Sequence, residues 1–223
     1  MALGAHELRD RIQTNLNNLI TPKVSFEFFP ANTDSMEKIL WNSIEKLEPL
    51  GPEFISVTYG ADGSTRERTH DAIASIQSRR SVDAMPHLTC VGAKKHQIDE
   101  ISDQYIELGV RKIMALRGDP QGGAGAAYTP TPGGYAYAEQ LVQGLKARHD
   151  FEIYVAAYPE THPDAPSPHF DLQNLQNFKS CIKSTTTNNQ TNETSKKVWL
   201  QIKKPSRKRT PISFSMLWAT QLN

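Results

Sequence analysis

The sequence predicts an α/β fold built on a parallel sheet. Two observations carry that expectation. Five short apolar runs, each closed by Gly or Pro, recur about every thirty residues, and amphipathic helical stripes fill the gaps between them.

The runs are Val24–Pro30 (VSFEFFP), Phe54–Gly60 (FISVTYG), Met85–Gly92 (MPHLTCVG), Lys112–Gly118 (KIMALRG) and Phe151–Pro159 (FEIYVAAYP). Each is short and rich in Val, Ile, Phe, Tyr or Thr, which reads as a strand. A helix is expected ahead of the first run, from about His6 to Leu19. Met36, Ile39, Leu40 and Leu47 form an apolar stripe after that run. Ile98, Ile101, Tyr105 and Leu108 form another, and Tyr137, Leu141 and Leu145 a third. Asp34 with Glu37, and Ser64 with Glu67, have the spacing of capping boxes. A parallel sheet of this rhythm is either an open doubly wound sheet or a closed (β/α)8 barrel. No G-x-G-x-x-G follows the first run, which weakens the dinucleotide-binding alternative. In both folds the chemistry sits at the carboxyl ends of the strands.

Composition narrows the setting. The chain has 223 residues and two cysteines, Cys90 and Cys181, far apart and outside any metal-ligand pattern. No apolar stretch is long enough to span a membrane and no secretory leader is visible, so the cytoplasm is expected, with free thiols. The near-neutral total conceals two regions. Residues 1–178 carry a net charge of −7, and residues 179–223 a net charge of +8.

Candidate chemistry lies at the strand ends. Glu27 stands among Phe26, Phe28 and Phe29, where desolvation favours the neutral acid a proton donor needs; an alternative is a carboxylate paired with an Arg or Lys inside the sheet. Thr58 ends the second run, and its hydroxyl could meet a ligand or cap a helix. His87 lies in the third run, followed by Thr89. Leu116-Arg117-Gly118-Asp119-Pro120 brings a cation, a glycine permitting close backbone approach, and an anion to one mouth. The alternative there is a surface Arg117–Asp119 pair of little worth. The loop from Gln121 to Gly134 lacks a phosphate-loop motif and reads as a mobile cover or as surface slack. Ala156 and Ala157 leave room for a flat ligand, with Tyr158 placed to stack on it. His162, Asp164 and His169 are too irregularly spaced for a metal site.

These segments together resemble methylenetetrahydrofolate reductases of the bacterial type. The matching stretches are VSFEFFP (24–30), LWNSIEKL (40–47), FISVTYGA (54–61), RERTH (66–70), PHLTC (86–90), ALRGDP (115–120), VAAYPETHP (155–163) and DLQNL (171–175). The resemblance implies a (β/α)8 barrel with FAD, reducing 5,10-methylenetetrahydrofolate to 5-methyltetrahydrofolate with NAD(P)H in one-carbon metabolism and methionine biosynthesis. It implies that Glu27 is the acid that protonates the folate and that Asp119 is a carboxylate near flavin and pterin. It assigns FAD contacts to Thr58, His87, Leu116, Arg117, Gly118, Asp119, Tyr137, Ala156, Tyr158, His162, Asp171 and Asn174. Homo-oligomers are the family's habit.

The resemblance divides the chain at residue 178. Residues 1–178 read as a partial barrel domain for FAD and folate. Where the family has an Arg and a Lys just after DLxNL, this chain has Asn177 and Phe178. Residues 179–223 are expected to be a disordered or aberrant tail on a truncated frame. Twelve of the sixteen residues 180–195 are Ser, Thr, Asn or Gln, too polar to offset the entropy of ordering. With five barrel strands, the chain is expected to fold poorly or hold FAD weakly. The competing reading is an inactive remnant whose basic run at 203–209 binds nucleic acid non-specifically. A Schiff-base aldolase is a third, poorly served by Lys112 at a strand start.

Overall fold

Strands β1 (Phe26–Phe28), β2 (Ile55–Val57), β3 (Ala84–Thr89), β4 (Lys112–Leu116) and β5 (Glu152–Ala157) lie inside the five predicted runs. They come from a computed structural model that describes residues 24–59, 66–79, 82–120, 126–157, 161, 165–184, 198–202 and 212–213. The expected helix at 6–19 and the expected cap at Ser64 fall outside the described residues.

The five strands pair in parallel, each with its sequence neighbour. Helices α1 (Asp34–Leu47), α2 (Arg66–Arg79), α3 (Lys95–Glu107) and α4 (Ala138–Arg148) make the four crossovers, and α5 (Pro168–Ser184) follows β5. One core cluster joins Phe26, Phe28, Ile55, Val57, Leu88, Ile113, Ala115, Ile153 and Val155 of the strands to Leu40, Ile44, Ile73, Ile76, Ile98, Tyr105, Leu141, Val142 and Leu145 of the helices. These strand residues alternate with the others, so they mark one face of the sheet. A second, smaller cluster of Phe54, Met85, Met114 and Tyr154 contains no helix residue. Strictly sequential strand order with the helices packed on one face is the winding of a (β/α)8 barrel. A doubly wound sheet would reverse its order and carry helices on both faces.

Three local expectations are corrected. The cap of α1 is Thr33, whose Oγ1 accepts from the Met36 N–H at 3.2 Å; its backbone is extended, while Asp34 is already helical and serves as a favourable first-turn charge. The buried stripe of α1 is Leu40 and Ile44, with Leu47 packed against it, whereas Met36 and Ile39 are exposed. In α3 the stripe ends at Tyr105, and Leu108 is exposed beyond the helix end.

A fourth difference lies past residue 178, where the sequence reading expects no regular structure. Helix α5 continues to Ser184. Strand β6 (Val198–Ile202) pairs in parallel with β5, and strand β7 (Ile212–Ser213) pairs antiparallel with β1, at Glu27↔Ser213 and Phe28↔Ile212. Both sheet edges that five strands would leave open are therefore paired. That removes unpaired backbone groups from the edge beside Glu27.

One polar clamp locks α3 to the end of α4. Arg148 donates to both carboxylate oxygens of Asp103, at 2.6 Å from Nε and 2.5 Å from Nη2, and His149 Nε2 lies 2.6 Å from Oδ1. The hydrogen bonds from Arg148, then from His149, hold the Asp103 carboxyl well below its ordinary range. A carboxyl depressed in the folded state stabilises above its unfolded value, about 4, and that contribution is lost as pH falls further. Asp103→Asn is therefore expected to lower the thermal midpoint most at pH 7 and progressively less below pH ~4. Circular dichroism melts at pH 7 and pH 3 check this, and an equal gap at both would contradict it.

Candidate functional site

The helix-free face of the sheet holds the polar residues. In a parallel sheet, residues in register point the same way and alternate along each strand. The register Glu27↔Ser56↔Met85, with His87↔Met114↔Tyr154 and Thr89↔Leu116, therefore assigns these side chains to one face. Seven polar side chains are buried among the described residues. Five of them, Ser25, Glu27, Ser56, His87 and Thr89, belong to this face or continue its alternation.

Glu27 and His87 meet there. Glu27 Oε2 lies 3.4 Å from His87 Nε2, although β2 runs between their strands. On the intervening strand the small Ser56 stands in register with Glu27 and with Met85, two residues before His87, so Glu27 and His87 meet on a diagonal. Both residues are nearly inaccessible, at 8% and 2% exposure. The expected alternative of an Arg or Lys partner is thus replaced by an imidazole from β3. Below them, Phe54 packs edge-on against Tyr154 with ring centroids 5.1 Å apart, and Met85 and Met114 complete an apolar floor.

The mouth is formed by extensions of β3 and β4. The Cys90 N–H donates to Leu116 O at 3.1 Å and the Val91 N–H to Arg117 O at 2.9 Å. Gly118 adopts φ +85°, and a Cβ on it would meet Val91 Cγ1 at 2.4 Å and Thr89 Cβ at 3.0 Å. Only glycine suits both that backbone and that space. The Arg117 guanidinium lies over the Tyr128 ring, 4.7 Å from its centroid, and Tyr128 packs on Tyr137 at 5.7 Å. Burial pushes the Cys90 thiol up to about 11, so it is protonated at neutral pH, and its Sγ donates to Arg117 O at 3.5 Å. Burial, then the neighbouring Cys90, pushes the Tyr128 phenol up to about 12.

The described part of the loop before α4 is hydrogen-bonded to the turn after β3 and to the start of α3. Thr131 Oγ1 accepts from the Gly92 N–H at 2.9 Å, and Gly133 O accepts from the Lys95 N–H at 3.0 Å. Tyr135 lies so close to Gly144 that a Cβ there would meet its hydroxyl at 2.0 Å. Tyr128 and Thr131 were legible only as members of a Gly- and Pro-rich loop, and Tyr135 lies just past its end.

The remaining sequence candidates fall as follows. Thr58 is half-buried at the end of β2; its N–H donates to Phe28 O at 2.9 Å and its carbonyl accepts from Thr69 Oγ1 at 3.0 Å. Leu116, Arg117, Gly118 and Ala156 are half-buried at the mouth, and Asp119 is exposed beside them. Tyr137 is exposed at the start of α4, while Asp171 and Asn174 are half-buried on α5. Tyr158 and His162 lie outside the described residues. Lys112 pairs with Asp83 at the opposite end of the strands, away from the mouth.

A one-sided βα layer with five of its buried polar side chains on the helix-free face defines a barrel-type α/β protein. The comparisons narrow that class. A family model described as methylenetetrahydrofolate reductase matches residues 11–182, and the chain belongs to that family. The 5,10-methylenetetrahydrofolate reductase of Pectobacterium carotovorum is 50% identical over 155 residues, which is 69% of this chain and 49% of the relative. That of Escherichia coli is 48% identical over 153 residues, with the same coverage of 69% and 49%. Methylenetetrahydrofolate reductase (NADH) 1 of Zea mays is 37% identical over 143 residues, 63% of this chain and 24% of the relative. The chain thus spans about half the length of the bacterial relatives. A mandelate oxidase structure with an FMN adduct aligns over 60% of this chain and 41% of its own, at TM-score 0.42 and 12% identity, too weak a likeness to bear on function. No helix among the described residues is long and apolar enough to cross a membrane.

Proposed function

We propose that the chain is a flavin-dependent oxidoreductase that reduces 5,10-methylenetetrahydrofolate to 5-methyltetrahydrofolate with NAD(P)H, in the cytoplasm and as a homo-oligomer. The observation that carries this reading is Glu27, a carboxyl group buried on the helix-free face and set 3.4 Å from His87.

The residues present fit FAD. The Thr89 hydroxyl is buried on this face with no hydrogen-bond partner among the described residues, and the bare Gly118 backbone adjoins it. Thr58, His87, Leu116, Arg117, Gly118, Tyr137, Ala156, Asp171 and Asn174 would hold the cofactor, with Asp119 beside both ring systems. When bound, FAD supplies the hydride chemistry, accepting from NAD(P)H and giving to the folate. The chain supplies the rest. Glu27 delivers a proton from Oε to the folate nitrogen that leaves as the five-membered ring opens, which turns the methylene bridge into an electrophile. His87 holds that carboxyl group in place from across β2. The apolar floor of Phe54, Met85, Met114 and Tyr154 would exclude water from the N-terminal side of Glu27 and His87 on this face.

The absorption spectrum of the purified chain, followed by NADH–menadione turnover, tests the reading. Bound flavin with NADH-dependent turnover is the expected result. A second reading, a remnant without reductase activity whose basic tail binds nucleic acid, is favoured by residues 183–223 lying outside the family match. A colourless protein with salt-dependent DNA binding would establish that reading in place of the first.

A further inference from the structure

We infer that the Thr89 hydroxyl is a ligand-binding group, donating to or accepting from a heteroatom on the polar edge of the FAD ring system; this rests on the flavin reading above. Thr89 ends β3 two residues beyond His87 and pairs in register with Leu116. It therefore shares the face of Glu27 and His87 and stands at the mouth rather than in the helix layer. Its Cβ would lie only 3.0 Å from a Cβ built on Gly118, which places it directly against that half-buried backbone.

The side chain is 2% exposed, and its Oγ1 has no hydrogen-bond partner among the described residues. A buried hydroxyl left unmade is costly, whereas valine fills the same volume at a strand position without that cost. A threonine here is explained by a partner that arrives with the ligand. Cys90 follows it in the chain but points its Sγ at Arg117 O, so the ligand-facing hydroxyl at this strand end is that of Thr89. A hydroxyl serves as donor and acceptor alike, which matches the mixed carbonyl and ring-nitrogen edge of an isoalloxazine.

The test uses the full 223-residue chain with Thr89→Val and Thr89→Ser. Two quantities are measured: the thermal midpoint without FAD, and FAD affinity by quenching of flavin fluorescence. Thr89→Val is expected to melt at or above the wild-type midpoint without FAD while binding FAD about tenfold more weakly. Thr89→Ser is expected to keep wild-type affinity. Unchanged FAD binding by Thr89→Val overturns the inference, and so does a lowered FAD-free midpoint, because the hydroxyl would then serve the fold itself. Should the wild-type chain fail to bind FAD, the flavin reading falls and this inference falls with it. Wild-type binding with an unaffected Thr89→Val removes this inference alone.

Discussion

Replacing Gly118 by alanine is expected to lower the thermal midpoint by about 5–15 °C, the largest loss from any single added methyl group at the site. Two costs combine. The backbone at φ +85° is one that side chains rarely adopt, and the new Cβ would press on Val91 Cγ1 at 2.4 Å and Thr89 Cβ at 3.0 Å. Strain of about 1–3 kcal/mol and overpacking of similar size together remove a large part of a typical domain's margin. Gly51 supplies the control. It also has a positive φ, +64°, but nothing lies within 4 Å of its would-be Cβ, so Gly51→Ala should cost only the backbone part. Adding Val91→Ala to Gly118→Ala should recover part of the loss, since the two positions touch. A melt of Gly118→Ala that matches Gly51→Ala would show that the crowding is not felt.

Glu27→Gln is the second substitution with a large expected effect. The amide keeps the shape and the buried position but has no acidic proton to give. Methylenetetrahydrofolate-dependent reoxidation of the reduced enzyme should fall roughly 10²–10⁴-fold. FAD affinity and reduction by NADH should stay near wild type, because neither needs that proton. Stopped-flow measurement of the two half-reactions separates these outcomes. Folate turnover at the wild-type rate would remove Glu27 from the mechanism, and loss of FAD binding would make it a structural residue instead.

The five strands were legible because each is a short β-branched or aromatic run bounded by Gly or Pro, and the crossovers because their stripes repeat at helical spacing. Glu27 was legible as an oddity, an acid between phenylalanines. Its partner was not: His87 lies across an intervening strand and two residues beyond Met85, the residue in register with Glu27, so only the folded sheet shows the diagonal contact. The cap of α1 slipped by one residue because Thr33 and Asp34 are both good capping types and backbone conformation decides between them. Strands β6 and β7 escaped notice for a different reason. Five and two residues long, inside a polar and basic stretch, they carry no period of their own; pairing with the edges of β5 and β1 defines them. The loop residues Tyr128 and Thr131 likewise owe their roles to Arg117 and Gly92, contacts distant in sequence.

Along β3, His87 and Thr89 look one way and Leu88 the other, so neighbours joined by a single peptide bond answer to different demands. Polar changes on the first side would alter what the protein prefers to hold while leaving its hydrophobic layer untouched. Changes on the second side would be felt as unfolding before any ligand is offered. A saturation survey of this one strand, scored separately for abundance and for flavin retention, should therefore yield an alternating record, with odd and even positions failing different assays.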